Sequence, residues 1–125
     1  MPTLLACLST GKGTWTEVNQ LLSAQQWTKV FLITNEFGKQ NYTVRGEQVE
    51  LIVLQDALSV DVSALVQQLK KELQGKISDF EIALNLASGS GKEHMAMLEA
   101  VMELGLNFRL VTMKNNQLHV LGMEK

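Results

Sequence analysis

Short, continuously apolar runs alternating with amphipathic segments restrict this chain more than any other feature of its sequence. The runs are TLLACL (Thr3 to Leu8), TKVFLI (Thr28 to Ile33), VELIVL (Val49 to Leu54) and FEIALNL (Phe80 to Leu86). Unbroken rather than alternating hydrophobicity is the pattern of a parallel strand covered on both faces. Between the runs, Trp15 to Gln25 carries Trp15, Val18, Leu21, Leu22 and Gln25 on one helical face, with Thr14 or Thr16 available as a cap. Ser63 to Leu73 aligns Leu65, Val66, Leu69 and Leu73, and Gly75 sits where such a helix should stop. Lys92 to Leu104 aligns Met95, Leu98, Val101 and Met102, with Gly105 just past its end. Asn35 to Gln48 is polar and reads as a loop with at most a short helix. Phe108 to Met113 and Gln117 to Leu121 flank Lys114-Asn115-Asn116, which predicts an antiparallel hairpin.

Strands alternating with helices define an α/β fold. The expected form is a three-layer, Rossmann-like domain over residues 1–125. Its sheet is mostly parallel, with helices on both faces and the C-terminal β-hairpin at one edge. A chain of 125 residues supports one such domain. The 46% hydrophobic and 19% charged composition suits a soluble globular fold. A net charge of −2 argues against a broad face for duplex nucleic acid, which is held by many cations at once. A small phosphorylated ligand needs only a few local donors. The single cysteine, Cys7, excludes an internal disulfide and falls in an apolar run, as a reduced core thiol would. No signal-peptide pattern opens the chain and no apolar run approaches the roughly 18 residues of a bilayer span. A cytoplasmic protein without membrane contact is expected.

Two strand-to-helix junctions are rich in glycine and hydroxyl side chains. The first is Ser9-Thr10-Gly11-Lys12-Gly13, and the second is Ser88-Gly89-Ser90-Gly91-Lys92. Free amides at a helix start and the positive end of its dipole attract anions, and each turn adds a lysine directly after a glycine. In a doubly wound sheet, ligands collect beyond the carboxyl ends of the strands where the order reverses. If the first and fourth strands are neighbours there, both turns share one rim. Neither turn fits a Walker A loop: Leu86 and Glu93 replace its first glycine and its hydroxyl at the second turn, and Gly13 stands where the hydroxyl belongs at the first. The dinucleotide fingerprint also fails, because Thr16 and His94 stand where its last glycine belongs.

Among other candidates, His94 falls in the first turn of a helix near the rim, where it can touch a ligand. His119, in the last predicted strand, has a structural or surface role. Two histidines without a carboxylate pattern make a poor metal site, and neither a metal nor another cofactor is expected. Trp15 can stack on a base, although it also begins the apolar stripe of its helix, which favours the core. The six methionines read mostly as core filler, with Met95 and Met97 also able to serve a subunit interface.

The segment Asn85-Leu86-Ala87-Ser88-Gly89-Ser90-Gly91-Lys92-Glu93-His94-Met95, with its flanking strand, Gly105 and the terminal hairpin, resembles the CRISPR-associated Rossmann-fold (CARF) domains. That family often shows Asn or Asp, then glycine with Thr or Ser, then lysine and methionine opening a helix after the fourth strand. The likeness is clearest over Phe80 to Leu121, about a third of the chain, and Ser9 to Gly13 matches the family's other binding turn in position and character. The second turn departs from the pattern by an extra residue. The resemblance implies a homodimer that binds cyclic oligoadenylate, the ring-shaped messenger of type III CRISPR defence, across its two-fold axis. It leaves open a ring nuclease or a domain that only binds, as a messenger sponge or a regulatory subunit. For cleavage it points to Ser9, Thr10 and Lys92, and for ligand binding to Gly11, Lys12, Gly13, Trp15, Ser88, Gly89, Ser90, Gly91 and His94. A mononucleotide-binding module of unrelated Rossmann-like type is the more distant alternative.

Overall fold

The computed structural model of the protein describes residues 3–8, 15–54 and 60–122. Five strands run parallel: β1 (Thr3–Cys7), β2 (Lys29–Thr34), β3 (Val49–Val53), β4 (Glu81–Asn85) and β5 (Asn107–Lys114). A sixth, β6 (Gln117–Val120), pairs antiparallel with β5, Val111 lying opposite Val120. Asn115 and Asn116 between them both take positive φ (53° and 63°), which asparagine tolerates better than most residues. The order across the sheet is β3-β2-β1-β4-β5-β6, that of a doubly wound fold, so the reversal falls between β1 and β4. Leu4 to Ala6 pair with Ala83 to Asn85 at that point, which makes the first and fourth strands neighbours.

The helices are α1 (Trp15–Ala24), α2 (Glu36–Asn41), α3 (Val62–Leu73) and α4 (Gly91–Glu103). The polar 35–48 stretch thus holds one short helix, started by the Asn35 side chain accepting from the Gly38 amide at 2.9 Å. Alternation along the strands serves two separate hydrophobic clusters. Leu5, Cys7, Phe31 and Ile33 face Leu65, Leu69, Met97 and Val101 of α3 and α4. Leu4, Ala6, Val30 and Leu32 belong with Trp15, Val18 and Leu21 of α1.

Two readings of helix faces need correction. Thr16 lies inside α1 and is exposed, so it does not cap the helix, and Thr14 falls outside the described residues. In α4 the buried set is Ala96, Met97, Ala100 and Val101, whereas Met95 and Met102 are exposed. Met97 is therefore core rather than interface. Alanines bring the helix close to the sheet, and Met95 and Met102 are left on the outer flank. Phe80, read as the first residue of the fourth strand, precedes β4 and is 87% exposed.

Charge pairs mark the amino ends of the strands, away from the rim. Arg109 meets Glu81 at 3.0 Å, and Glu50 takes Lys76 at 2.9 Å and Lys29 at 3.5 Å. The hydrogen bond from Lys76 is the main cause holding the Glu50 carboxyl below its ordinary range. A carboxyl lowered on folding contributes stability that is complete above the ordinary glutamate range and is lost as pH falls below it. Glu50→Gln should therefore flatten the acid limb of a urea-denaturation stability curve, by less than about 1 kcal/mol because the pair is partly solvated. An acid limb identical to that of the parent would refute the assignment.

Candidate functional site

The turn after β4 is built around Gly89, which takes φ +109°. A Cβ at this glycine would stand 2.6 Å from Cys7 Sγ and 3.1 Å from His94 Nε2. The second turn thus lies directly on Cys7, the last residue of β1 and two positions before Ser9. Gly91 differs, since a Cβ there would meet nothing within 4 Å. Cys7 is fully buried, and burial, followed by the Glu93 carboxylate, pushes its thiol far above the ordinary range. It is a core thiol, not a nucleophile.

Ser90 caps α4 and forms a capping box with Glu93. The Glu93 amide donates to Ser90 Oγ at 3.3 Å, and the Ser90 amide donates to Glu93 Oε1 at 2.7 Å. Glu93 is only 5% exposed, so a carboxylate is lodged where sequence reasoning expected room for a ligand's negative charge. An incoming phosphate would compete with it for the Ser90 amide. Lys92 Nζ donates to the Val60 carbonyl at 2.6 Å, fastening the first turn of α4 to the chain just before α3. His94 Nε2 lies 2.7 Å from the Ser88 carbonyl and braces the turn from within. Ser88 is buried.

Trp15 is packed at 6.1 Å from Phe37 and at 5.6 Å, edge to face, from Tyr42 (centroid distances), the core position of its two alternatives. His119 is in β6, opposite Thr112. Ser9, Thr10, Gly11, Lys12 and Gly13 lie outside the described residues. Ser88 to His94 are therefore gathered at the end of β4, against the root of the first turn.

Beneath this rim is a polar network that sequence reasoning did not assign. Asn85, at the end of β4 and 2% exposed, donates through Nδ2 to Glu17 Oε2 at 2.9 Å and to the Val111 carbonyl at 2.8 Å. Its Oδ1 accepts from the Ala87 amide at 3.2 Å. Thr112 Oγ1 donates to the same Glu17 oxygen at 2.9 Å. The network joins the first turn of α1 to β4, β5 and the start of the second turn. Its one sequence signal is an asparagine closing an apolar strand, since a buried amide requires partners.

Among the described residues, no group of three or more His, Cys, Asp or Glu could hold a metal ion, and no helix is long and apolar enough to cross a membrane. No protein-family model matches the chain, and a search of curated proteins finds no match.

Proposed function

We propose that the chain is a CARF-like domain of three layers, edged by the β5–β6 hairpin, which binds cyclic oligoadenylate across the two-fold axis of a homodimer. The observation that carries this reading is the seat of Gly89 on Cys7, at the point where the strand order reverses. It sets the second turn on the last residue of β1, two positions before Ser9; with both turns facing one rim, a dyad would present four phosphate-holding corners to a ring of phosphates. In cleavage, a ribose 2′-hydroxyl attacks the adjacent phosphorus and the P–O5′ bond breaks. The proton lost by the 2′-hydroxyl reappears on the 5′-oxygen, and a 2′,3′-cyclic phosphate remains. The protein's part is in-line alignment and stabilisation of the charged transition state. Ser9, Thr10 and Lys92 are the proposed catalytic residues.

Binding without cleavage is supported by a separate observation. The Lys92 ammonium, the charge that cleavage would need at the transition state, is engaged by the Val60 carbonyl.

The test is incubation of the purified chain with cyclic tetra- and hexa-adenylate in EDTA, with binding followed by calorimetry and products by chromatography. The expected result is one ring bound per two chains at micromolar protein or below. If the ring is cleaved, Lys92→Ala should abolish turnover, with a melting curve establishing that the variant remains folded. A ring recovered whole assigns the binding-only reading. Failure of both rings to bind would reject the family-level function.

A further inference from the structure

We infer that the groove between α3 and α4 docks a basic amphipathic helix of a partner protein. The groove holds about 540 Å³ and is lined by Val62 and Val66 of α3 and by Met95, Leu98 and Met102 of α4. The α4 residues follow one another at the three- and four-residue steps of a single helical face, the arrangement that accepts an apolar helix in a groove. Met95 is 54% exposed and Met102 57%, and methionine adapts its shape to incoming side chains. This face begins one turn from Lys92 and requires nothing of the function proposed for the rim.

Charge selects the partner. Glu99 and Glu103 edge the groove one turn apart, a like-charged pair that weakens a helix. They stand toward the carboxyl end of α4, where the dipole already favours cations, and its last turn has no basic residue. Lys70 reaches across from α3 to Glu103 at 2.9 Å. Its hydrogen bond holds the Glu103 carboxyl down, whereas Glu99 is raised chiefly by its hydrogen bond to Glu103. One lysine thus serves two carboxylates, and a lysine or arginine from outside would relieve both the pair and the helix end. A second copy of this chain is a poorer occupant, because a dyad over the groove would bring these carboxylates toward their own counterparts. Anionic lipid and nucleic acid are opposed by the same charges.

The probe is an 18-residue Leu/Lys amphipathic peptide, with a Leu/Glu peptide of the same pattern as control, titrated into isotope-labelled protein. Amide shifts should concentrate in residues 62–70 and 95–103. The Lys peptide should bind at least about tenfold more tightly than the Glu peptide. Both Glu99→Gln/Glu103→Gln and Met95→Ser/Met102→Ser should weaken it by about the same factor, and all four side chains are accessible enough for the fold to persist. Shifts elsewhere, or equal affinity for the two peptides, would overturn the proposal. So would a dimer that Met95→Ser/Met102→Ser dissociates, since it would give the groove to a second copy.

Discussion

Asn85→Asp should destabilise the protein by about 3–5 kcal/mol at neutral pH, although the side chain changes by one atom. Asn85 spends both amide hydrogens on acceptors, Glu17 Oε2 at 2.9 Å and the Val111 carbonyl at 2.8 Å. An introduced carboxylate would turn an acceptor toward each of them in a position only 2% exposed. Two like charges about 3 Å apart repel by roughly 5 kcal/mol even at an effective dielectric of 20. The new carboxyl escapes by holding a proton, so its pKa in the folded chain rises above its unfolded value. The folded state then binds more protons than the unfolded one between those two values, and stability falls as pH rises through that window. Urea denaturation should place the variant nearer the parent at pH 5 than at pH 7.5. Adding Glu17→Gln should return about 1–3 kcal/mol, because an amide can then donate to the introduced carboxylate. A single variant within about 1 kcal/mol of the parent at pH 7.5 would refute the network.

The order of strands and helices is legible in the sequence because buried parallel strands declare themselves as unbroken apolar runs. That β1 and β4 are neighbours is only a condition in the sequence, and the structure supplies it. Helix orientation is harder. The α4 sequence is apolar over more than one face, so periodicity selects Met95, Leu98 and Met102 as readily as Ala96, Met97 and Ala100. The decision comes from how closely small residues let the helix approach the sheet, a property of packing that a hydropathy pattern does not contain.

At the site, locality sets the limit. The Ser90–Glu93 capping box is a signature contained within four residues, so the amino-acid order alone suffices to recognise it. Asn85 and Glu17 are 68 positions apart, and Glu17 and Thr112 are 95 apart. No pattern in a window announces such partners. Lys92 shows the same limit: a lysine after a glycine at a helix start suggests a ligand, yet its ammonium meets the Val60 carbonyl, 32 positions away.

Gly89→Ala should cost about 3 kcal/mol and lower the melting temperature by about 10 °C, whereas Gly91→Ala, two residues on, should be neutral or mildly stabilising. Two causes add at Gly89. Its φ of +109° strains any L side chain, by about 1–3 kcal/mol. Its Cβ would also press on Cys7 Sγ at 2.6 Å, and that sulfur belongs to a fully buried strand residue with little room to yield. Overpacking of this kind typically costs another 1–3 kcal/mol. At Gly91 a methyl group enters open space at the first position of α4, and alanine is the better helix former. Cys7→Ala separates the two causes. In the Gly89→Ala background it should return the packing share and leave the backbone share, so the paired substitutions are non-additive. Should Gly89→Ala be tolerated as well as Gly91→Ala, the second turn would not rest on β1, and the proposed rim would lose its physical basis.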